Sequence, residues 1–334
     1  MSVVIVGGGP AGSAAALTLL DVQIPVTIVE QKRFPRFRPG ETLHPGIEPL
    51  LAKLGVAHQL ESAGYLRHLG VWAGWGGAMQ FVPYGTDTNG PWQGYQAIGA
   101  DFDQRLLDSA CSRGAQILAA KVSGVSFNAS NEVAGVMTSD GPVEATYVID
   151  CSGSAHVLAR QLRLPIARFS PRLVARLGYA TGCLGDPSPS IRSDREGWTW
   201  IAEVAPNRFQ WTRVTEAHNR PGPTWIPHGL RDLDAEPSRS ADVTWRMAKA
   251  VAGPGYFLAG DAAAVLDPSS SHGVLRAIMS GMMAAHLVVQ QLCGEADAQM
   301  CALTYQNWLS SWVHHDIKQM SRAYRAVHLF GFAT

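Results

Sequence analysis

Apolar and polar positions along this chain follow two periods. Residues 2–6, Ser-Val-Val-Ile-Val, form an apolar run rich in β-branched residues and closed by glycine, the pattern of a strand buried on both faces. Helical spacing follows from Pro10 to about Leu20, and Val26–Val29 is a second buried strand, so the chain opens as βαβ. Residues 32–42 read as a basic, proline-broken loop, residues 46–62 as a helix, and residues 100–113 as a helix with an acidic start. Gln116–Val125, Val133–Thr138 and Tyr147–Asp150 read as strands. Between Leu66 and Pro83, Val71, Trp72, Trp75, Met79 and Phe81 sit among glycines, which predicts hairpin-like β structure. Strands of a second sheet are expected at 172–182, 197–204, 208–214 and 241–246, with long loops at 185–190 and 219–229. Gly273–Cys293 is helical and rich in small residues, and 300–329 form a last long helix or helix pair.

The two patterns interleave. Segments 1–65, 96–163 and 250–293 read as one α/β domain of Rossmann type, segments 66–95 and 164–249 as an inserted, mainly β-sheet domain, and 294–334 as a C-terminal helical segment. The chain has 334 residues and a formal net charge of +0, which offers nothing to a nucleic acid or other polyanion. Five scattered cysteines without C-x-x-C exclude no chemistry outright but make zinc, iron–sulfur and disulfide readings poor, and no metal is expected. No basic leader precedes the first strand and no apolar run is read as a membrane span, so a cytoplasmic protein is expected.

The chemistry lies in two glycine-rich segments. Gly7, Gly9 and Gly12 fit G-x-G-x-x-G after a strand and before a helix. Gly7 allows the tight turn, Gly9 lets backbone approach a pyrophosphate, and Gly12 lets the helix pack close to the strand. Glu30, eighteen residues beyond Gly12, ends the second strand where a carboxylate accepts from a ribose diol. This segment alone leaves NAD and FAD both open. The second segment is Gly260-Asp261, followed by Asp267-Pro268 and Gly273; the pair suggests one cofactor, FAD, gripped from two ends.

The interleaving and three motifs resemble the para-hydroxybenzoate hydroxylase-type FAD fold, which includes aromatic hydroxylases, geranylgeranyl reductases and tryptophan halogenases. The motifs are the glycine fingerprint with Glu30, the stretch Asp150-Cys151-Ser152-Gly153, and Gly260-Asp261 with Asp267-Pro268. The resemblance implies that Asp261 binds the ribityl chain, that Pro268 and Gly273 open a turn and helix facing the flavin, and that Arg105 meets the pyrophosphate, with Arg38, Asp150 and Gly153 also beside the cofactor. Arg38-Pro39-Gly40-Glu41-Thr42 resembles the loop of the halogenase and geranylgeranyl-reductase branch, and Trp198-Thr199-Trp200-Ile201 echoes part of a halogenase motif. Where that branch implies a catalytic lysine, the chain has Arg67-His68. The phrase from Asp267 to Arg276 looks closest to the LodB/GoxB-like and QhpG-like flavoproteins, which oxygenate a tryptophan of a precursor protein in tryptophylquinone biogenesis.

The resemblance therefore implies an FAD-dependent monooxygenase that hydroxylates an aromatic ring, with a protein-borne tryptophan as the expected substrate, through a flavin C4a-hydroperoxide and O₂. No second G-x-G-x-x-G follows a strand, so electrons come from transiently bound NAD(P)H or from separately reduced flavin. His272, His44 and Glu41 are the candidate catalytic residues, from their places beside the flavin turn and in the covering loop. Trp72, Trp200 and Trp211 are candidates for stacking an aromatic substrate, against the simpler reading as sheet core. Competing functions are a geranylgeranyl-type flavin reductase, a tryptophan halogenase, and a non-catalytic flavoprotein that docks a partner.

Overall fold

The computed structural model describes residues 1–185 and 188–332. Strands Gln116–Leu118, Val26–Val29, Val3–Val6, Tyr147–Asp150 and Tyr256–Leu258 lie side by side and parallel, in that order, with Ala252–Gly253 antiparallel on the edge. Valine and isoleucine fill both faces of the inner strands because helices cover both. The helix Pro10–Asp21 packs against Gly273–Leu292 at backbone distance. A Cβ on Gly281 would stand 2.2 Å from the Ala11 carbonyl oxygen, and one on Gly12 would stand 1.9 Å from that of Gly7. By length and composition Gly273–Leu292 is apolar enough to cross a membrane, which corrects the expectation that no run reaches that length. In this fold its Ile278, Ala284, Ala285, Leu287 and Val288 are core residues.

The second sheet is built on three nine-residue antiparallel strands, Leu173–Thr181, Arg208–Glu216 and Gly197–Ala205. Ser190–Ser193, Gly70–Gly74 and Gln80–Pro83 extend it on one side, and Asp234–Ala235 and Arg239–Asp242 pair with Leu173–Thr181 on the other. Four sequence expectations change here. The single strand expected at 241–246 splits: Arg239–Asp242 joins the large sheet and Arg246–Ala248 a separate one, because the Asp242 carboxylate accepts from the Thr244 N–H at 2.9 Å and turns the chain. The loop expected at 185–190 gives way to a strand from Ser190, and residues 186 and 187 lie outside the described residues. The loop expected at 32–42 ends in a strand, Gly40–Leu43, which pairs with Gly94–Ile98; Leu66–His68 pairs with the other edge of the same strand. The helix expected at 46–62 breaks in two at Gly55, whose φ of +68° ends Glu48–Lys53 before Ala57–Ala63 begins.

The C-terminal helix, Ala298–Ala326, is capped by Asp297, which accepts from the N–H groups of Gln299 and Met300. It ties the large sheet to the turn before the Gly273 helix through Tyr324, whose hydroxyl donates to the buried carboxylate of Asp267 at 2.8 Å and accepts from Trp198 Nε1 at 2.9 Å. Trp245 Nε1 donates to the same carboxylate at 2.6 Å. Tyr324→Phe would leave the Trp198 indole N–H without an acceptor in a buried site. It should lower unfolding free energy by about 1–3 kcal/mol in denaturant titration, while far-UV circular dichroism stays unchanged.

Candidate active site

The two sheets enclose a cleft of about 820 Å³. One end is shaped by glycines. Gly7 has φ +103°, and a Cβ there would lie 2.5 Å from the Cys151 carbonyl oxygen, so only glycine fits the turn. Gly9 and Pro10 begin the first helix, and the N–H groups of its first turn, lacking carbonyl partners, face the cleft. Gly12 lies behind this wall and serves helix packing. The buried Glu30 carboxylate accepts from the N–H of Gly8 at 2.9 Å and of Lys32 at 2.8 Å, which fixes it at the cleft edge.

Two arginines line this end. Arg36 Nη2 and Arg38 Nε donate to the buried Asp103 at 3.3 and 3.1 Å, and Arg36 Nη2 would touch a Cβ placed on Gly9. Arg105, expected at the pyrophosphate, is absent from the cleft lining: Asp101, one helical turn earlier, holds it at 2.8 Å. Arg36 was missed, although the basic run at 32–38 contained it. Asp150 is likewise corrected. It is fully buried, and its two oxygens accept from Ser152 N–H and Leu158 N–H, holding the turn whose Gly153, at φ +68°, does line the cleft. His156 clamps that turn to Ala262. Arg246 Nε donates to His156 Nε2 at 2.9 Å, so the imidazole proton sits on Nδ1, which donates to the Ala262 carbonyl. Burial pushes the His156 pKa down, consistent with this neutral form.

At the other end Gly260 has φ +59°, and Asp261 faces the cleft without a hydrogen-bond partner among the described residues. Pro268, Ser271, Gly273 and Val274 follow on the wall, so the start of the twenty-residue Gly273 helix opens into the cleft. A Cβ on Gly273 would meet nothing within 4 Å. Two helix N-termini, a glycine cradle that a Cβ would spoil, a fixed carboxylate and two arginines fit an extended dinucleotide such as FAD. Among the described residues no group of three or more His, Cys, Asp or Glu forms a metal site.

Glu41 lines the cleft between these ends. Burial pushes its pKa up to about 8, against the pull of Arg38, with Asp103 and Asp261 adding to the rise. His272 and His44 meet edge to face, ring centroids 5.5 Å apart, outside the cleft lining but next to Ser271 and Gly273, which belong to it. Burial pushes both imidazoles down in pKa. Of the candidate tryptophans only Trp200 lines the cleft, with Trp198 two residues before it on the same face. Trp211 is turned the opposite way, because its neighbours Gln210 and Thr212 face the cleft, and it packs on Trp225 at 5.4 Å. Trp72 packs on Phe81 at 5.5 Å, away from the cleft. Alternation along one strand puts Trp198 and Trp200 on one face; Trp211 lies on the neighbouring strand, where its pairing with Ile201 sets it on the other.

A family model described as tryptophan halogenase matches residues 2–85 and 84–320. The tryptophan 2-halogenase of Chondromyces crocatus is 28% identical over 338 residues, 91% of this chain; the chain spans 64% of that relative's length. A 1H-pyrrole-2-carbonyl-(peptidyl-carrier protein) brominase of Pseudoalteromonas luteoviolacea is 26% identical over 342 residues, 92% of this chain and 81% of that protein. The myxobacterial chondrochloren halogenase CndH superposes with a TM-score of 0.85 at 21% identity, covering 97% of this chain and 82% of its own. The peptidyl tryptophan dihydroxylase QhpG superposes with a TM-score of 0.73 at 21% identity, covering 98% and 74%. The branch expected from the Ser271-His272-Gly273 turn is thus one fold neighbour beside several halogenases, and the finer placement with QhpG-like proteins gives way to the broader family.

Arg38→Ala should weaken FAD binding about tenfold or more, as loss of a charged hydrogen-bond donor does, whereas Arg105→Ala should leave it nearly unchanged; fluorescence titration of FAD reads both. FAD is anionic, so its binding should raise the Glu41 pKa further and be tightest with that carboxyl protonated. Affinity should therefore fall between roughly pH 7 and pH 9, and Glu41→Gln should flatten that dependence.

Proposed function

Because this chain belongs to the tryptophan halogenase family of FAD-dependent enzymes, we propose that it uses reduced FAD and O₂ to replace a hydrogen of an electron-rich aromatic ring with a halogen. The observation that carries this reading is the family match itself, which runs through both ends of the cleft, from the Gly7 turn to the Gly273 helix. The names of the Chondromyces and Pseudoalteromonas relatives support an indole or a pyrrole as the ring, free or attached to a carrier protein. One halide, one O₂, one reduced FAD and one proton are consumed, and the halogenated ring, oxidised FAD and two waters are formed. Bound and reduced, FAD supplies the two electrons that activate O₂.

The chain's own residues bind, shield and supply a proton. The backbone N–H groups of Gly9 and Ala11, with Arg36 and Arg38, would hold the diphosphate, Glu30 the ribose, and Asp261 the ribityl hydroxyls. The open N-terminus of the Gly273 helix would stabilise, through the helix dipole, negative charge on a reduced flavin ring bound beside it. Trp198, Trp200, Val265 and Leu266 give the lining an apolar surface that would exclude water. The Glu41 carboxyl, with its pKa near 8, holds a proton at the cleft wall around neutrality.

Hydroxylation is the second reading, favoured by a specific feature. The cleft's only lysines among the described residues are Lys32 and Lys121, and Arg67-His68 occupies the stretch where resemblance to halogenases implies one. That reaction consumes O₂ and reduced FAD, releases one water and uses no halide; a tryptophan in a precursor polypeptide is its expected substrate. NAD(P)H, acting directly or through separately reduced flavin, supplies electrons in either case. The test is turnover with FAD, a flavin reductase, NADH, O₂ and a panel of indoles and pyrroles, with and without bromide. A halide-dependent exchange of hydrogen for bromine in the product mass is expected. Gain of one oxygen regardless of halide would transfer the assignment to hydroxylation, and reoxidation of flavin without any ring product would sink both.

A further inference from the structure

A second cavity, of about 580 Å³, is lined by His44 with Glu48, Arg67, Asp87 and Trp92, and His44 packs on His272, whose chain neighbours Ser271 and Gly273 line the cofactor cleft. The tautomer of His44 is fixed by its surroundings. Its Nδ1 accepts from the Gly46 N–H at 3.0 Å, so the neutral ring carries its proton on Nε2, which has no protein acceptor among the described residues. Edge contacts hold the ring from two sides, His272 at 5.5 Å and Tyr84 at 5.2 Å. His68, on the far side of Tyr84, is not available in the same way. Thr42 Oγ1 donates to Gln96 Oε1, so the Gln96 amide donates to His68 Nε2, and His68 Nδ1–H is spent on the Gly70 carbonyl. His44 is thus a positioned donor with a free N–H in the lining of the second cavity.

The rest of the lining restricts what that donor meets. Trp92 offers a half-exposed aromatic face. Arg67 is matched by Glu48 at 3.0 Å and lies over the Tyr95 ring at 3.9 Å, so Asp87 leaves the lining with a net negative charge. A carboxylate is disfavoured there, and a neutral carbonyl is not.

We propose that this second cavity binds the acceptor ring as an aromatic group carrying a neutral carbonyl, oriented by the His44 Nε2–H. The proposal rests on the aromatic-ring reading above and names the substrate class within it. The test is equilibrium binding to FAD-loaded, oxidised enzyme without reductant, using indole-3-carboxamide, indole and indole-3-carboxylate as probes. Indole-3-carboxamide should bind about fivefold more tightly than indole, the worth of one hydrogen bond, and more tightly than the carboxylate. His44→Ser, which keeps a hydroxyl to accept from Gly46 N–H but cannot reach the cavity, should remove the carboxamide's advantage. His44→Asn, which keeps both an acceptor for Gly46 and a donor, should retain part of it. FAD affinity should be the same in all three proteins. Equal binding of carboxamide and indole to the native enzyme, tightest binding of the carboxylate, an advantage that survives in His44→Ser, or one lost equally in His44→Asn would overturn the proposal. Because no turnover is involved, native enzyme that halogenates rings without this discrimination removes only the inference. Discrimination without ring product in the turnover assay removes only the reaction.

Discussion

The architecture converges on one buried carboxylate. Asp267 accepts from Trp245, which leads in from the large sheet, from Tyr324, which ends the C-terminal helix, and from the backbone N–H of Ser269, which shapes the turn before the Gly273 helix. Burial alone would push this acid toward its neutral form, and the donors pull against that rise. None of the three elements could shift far without leaving a buried donor or acceptor unpaired, which costs more than a hydrogen bond gains. Trp198, on the cleft wall, is tied into the same group through Tyr324. The wall at this end of the cleft is therefore set by the large sheet, the turn before the Gly273 helix and the last helix together.

The charged lining follows a similar economy. Asp103 is buried and shared by Arg36 and Arg38, so each guanidinium is oriented at one edge and keeps other N–H groups for an anion in the cleft. Beside them Glu41 is kept protonated near neutrality by burial and by two neighbouring acids. The cleft thus meets a diphosphate with more positive charge than its count of acidic residues would suggest.

What could be read from the sequence was what depends on local geometry. The Gly7 turn, the carboxylate of Glu30 and the buried parallel strands all follow from short-range sterics and period. What could not be read was set by partners distant in the chain. Gly40–Leu43 is a strand because Gly94–Ile98 supplies its hydrogen bonds, and Trp72 faces away from the cleft because its strand pairs with Ser190–Ser193. Between these two lie side chains whose partners are close in the chain. Asp101 and Arg105 stand four apart on one helix, the spacing at which such a pair satisfies itself. Asp150 ends a strand just before a helix, where a short acid holds the turn.

The backbone contact between the first helix and the Gly273 helix, at Ala11 and Gly281, has a consequence for what the cleft admits. Each helix begins at one end of the cleft, and neither can slide past the other without a carbonyl oxygen striking an α-carbon. The pair therefore works as a calliper with its jaws locked at one opening. A nucleotide that carries only the adenosine half, or a flavin that lacks it, rests on one jaw and leaves the other empty. Only a molecule as long as the locked gap gains from both, and length becomes a criterion of recognition alongside hydrogen bonding.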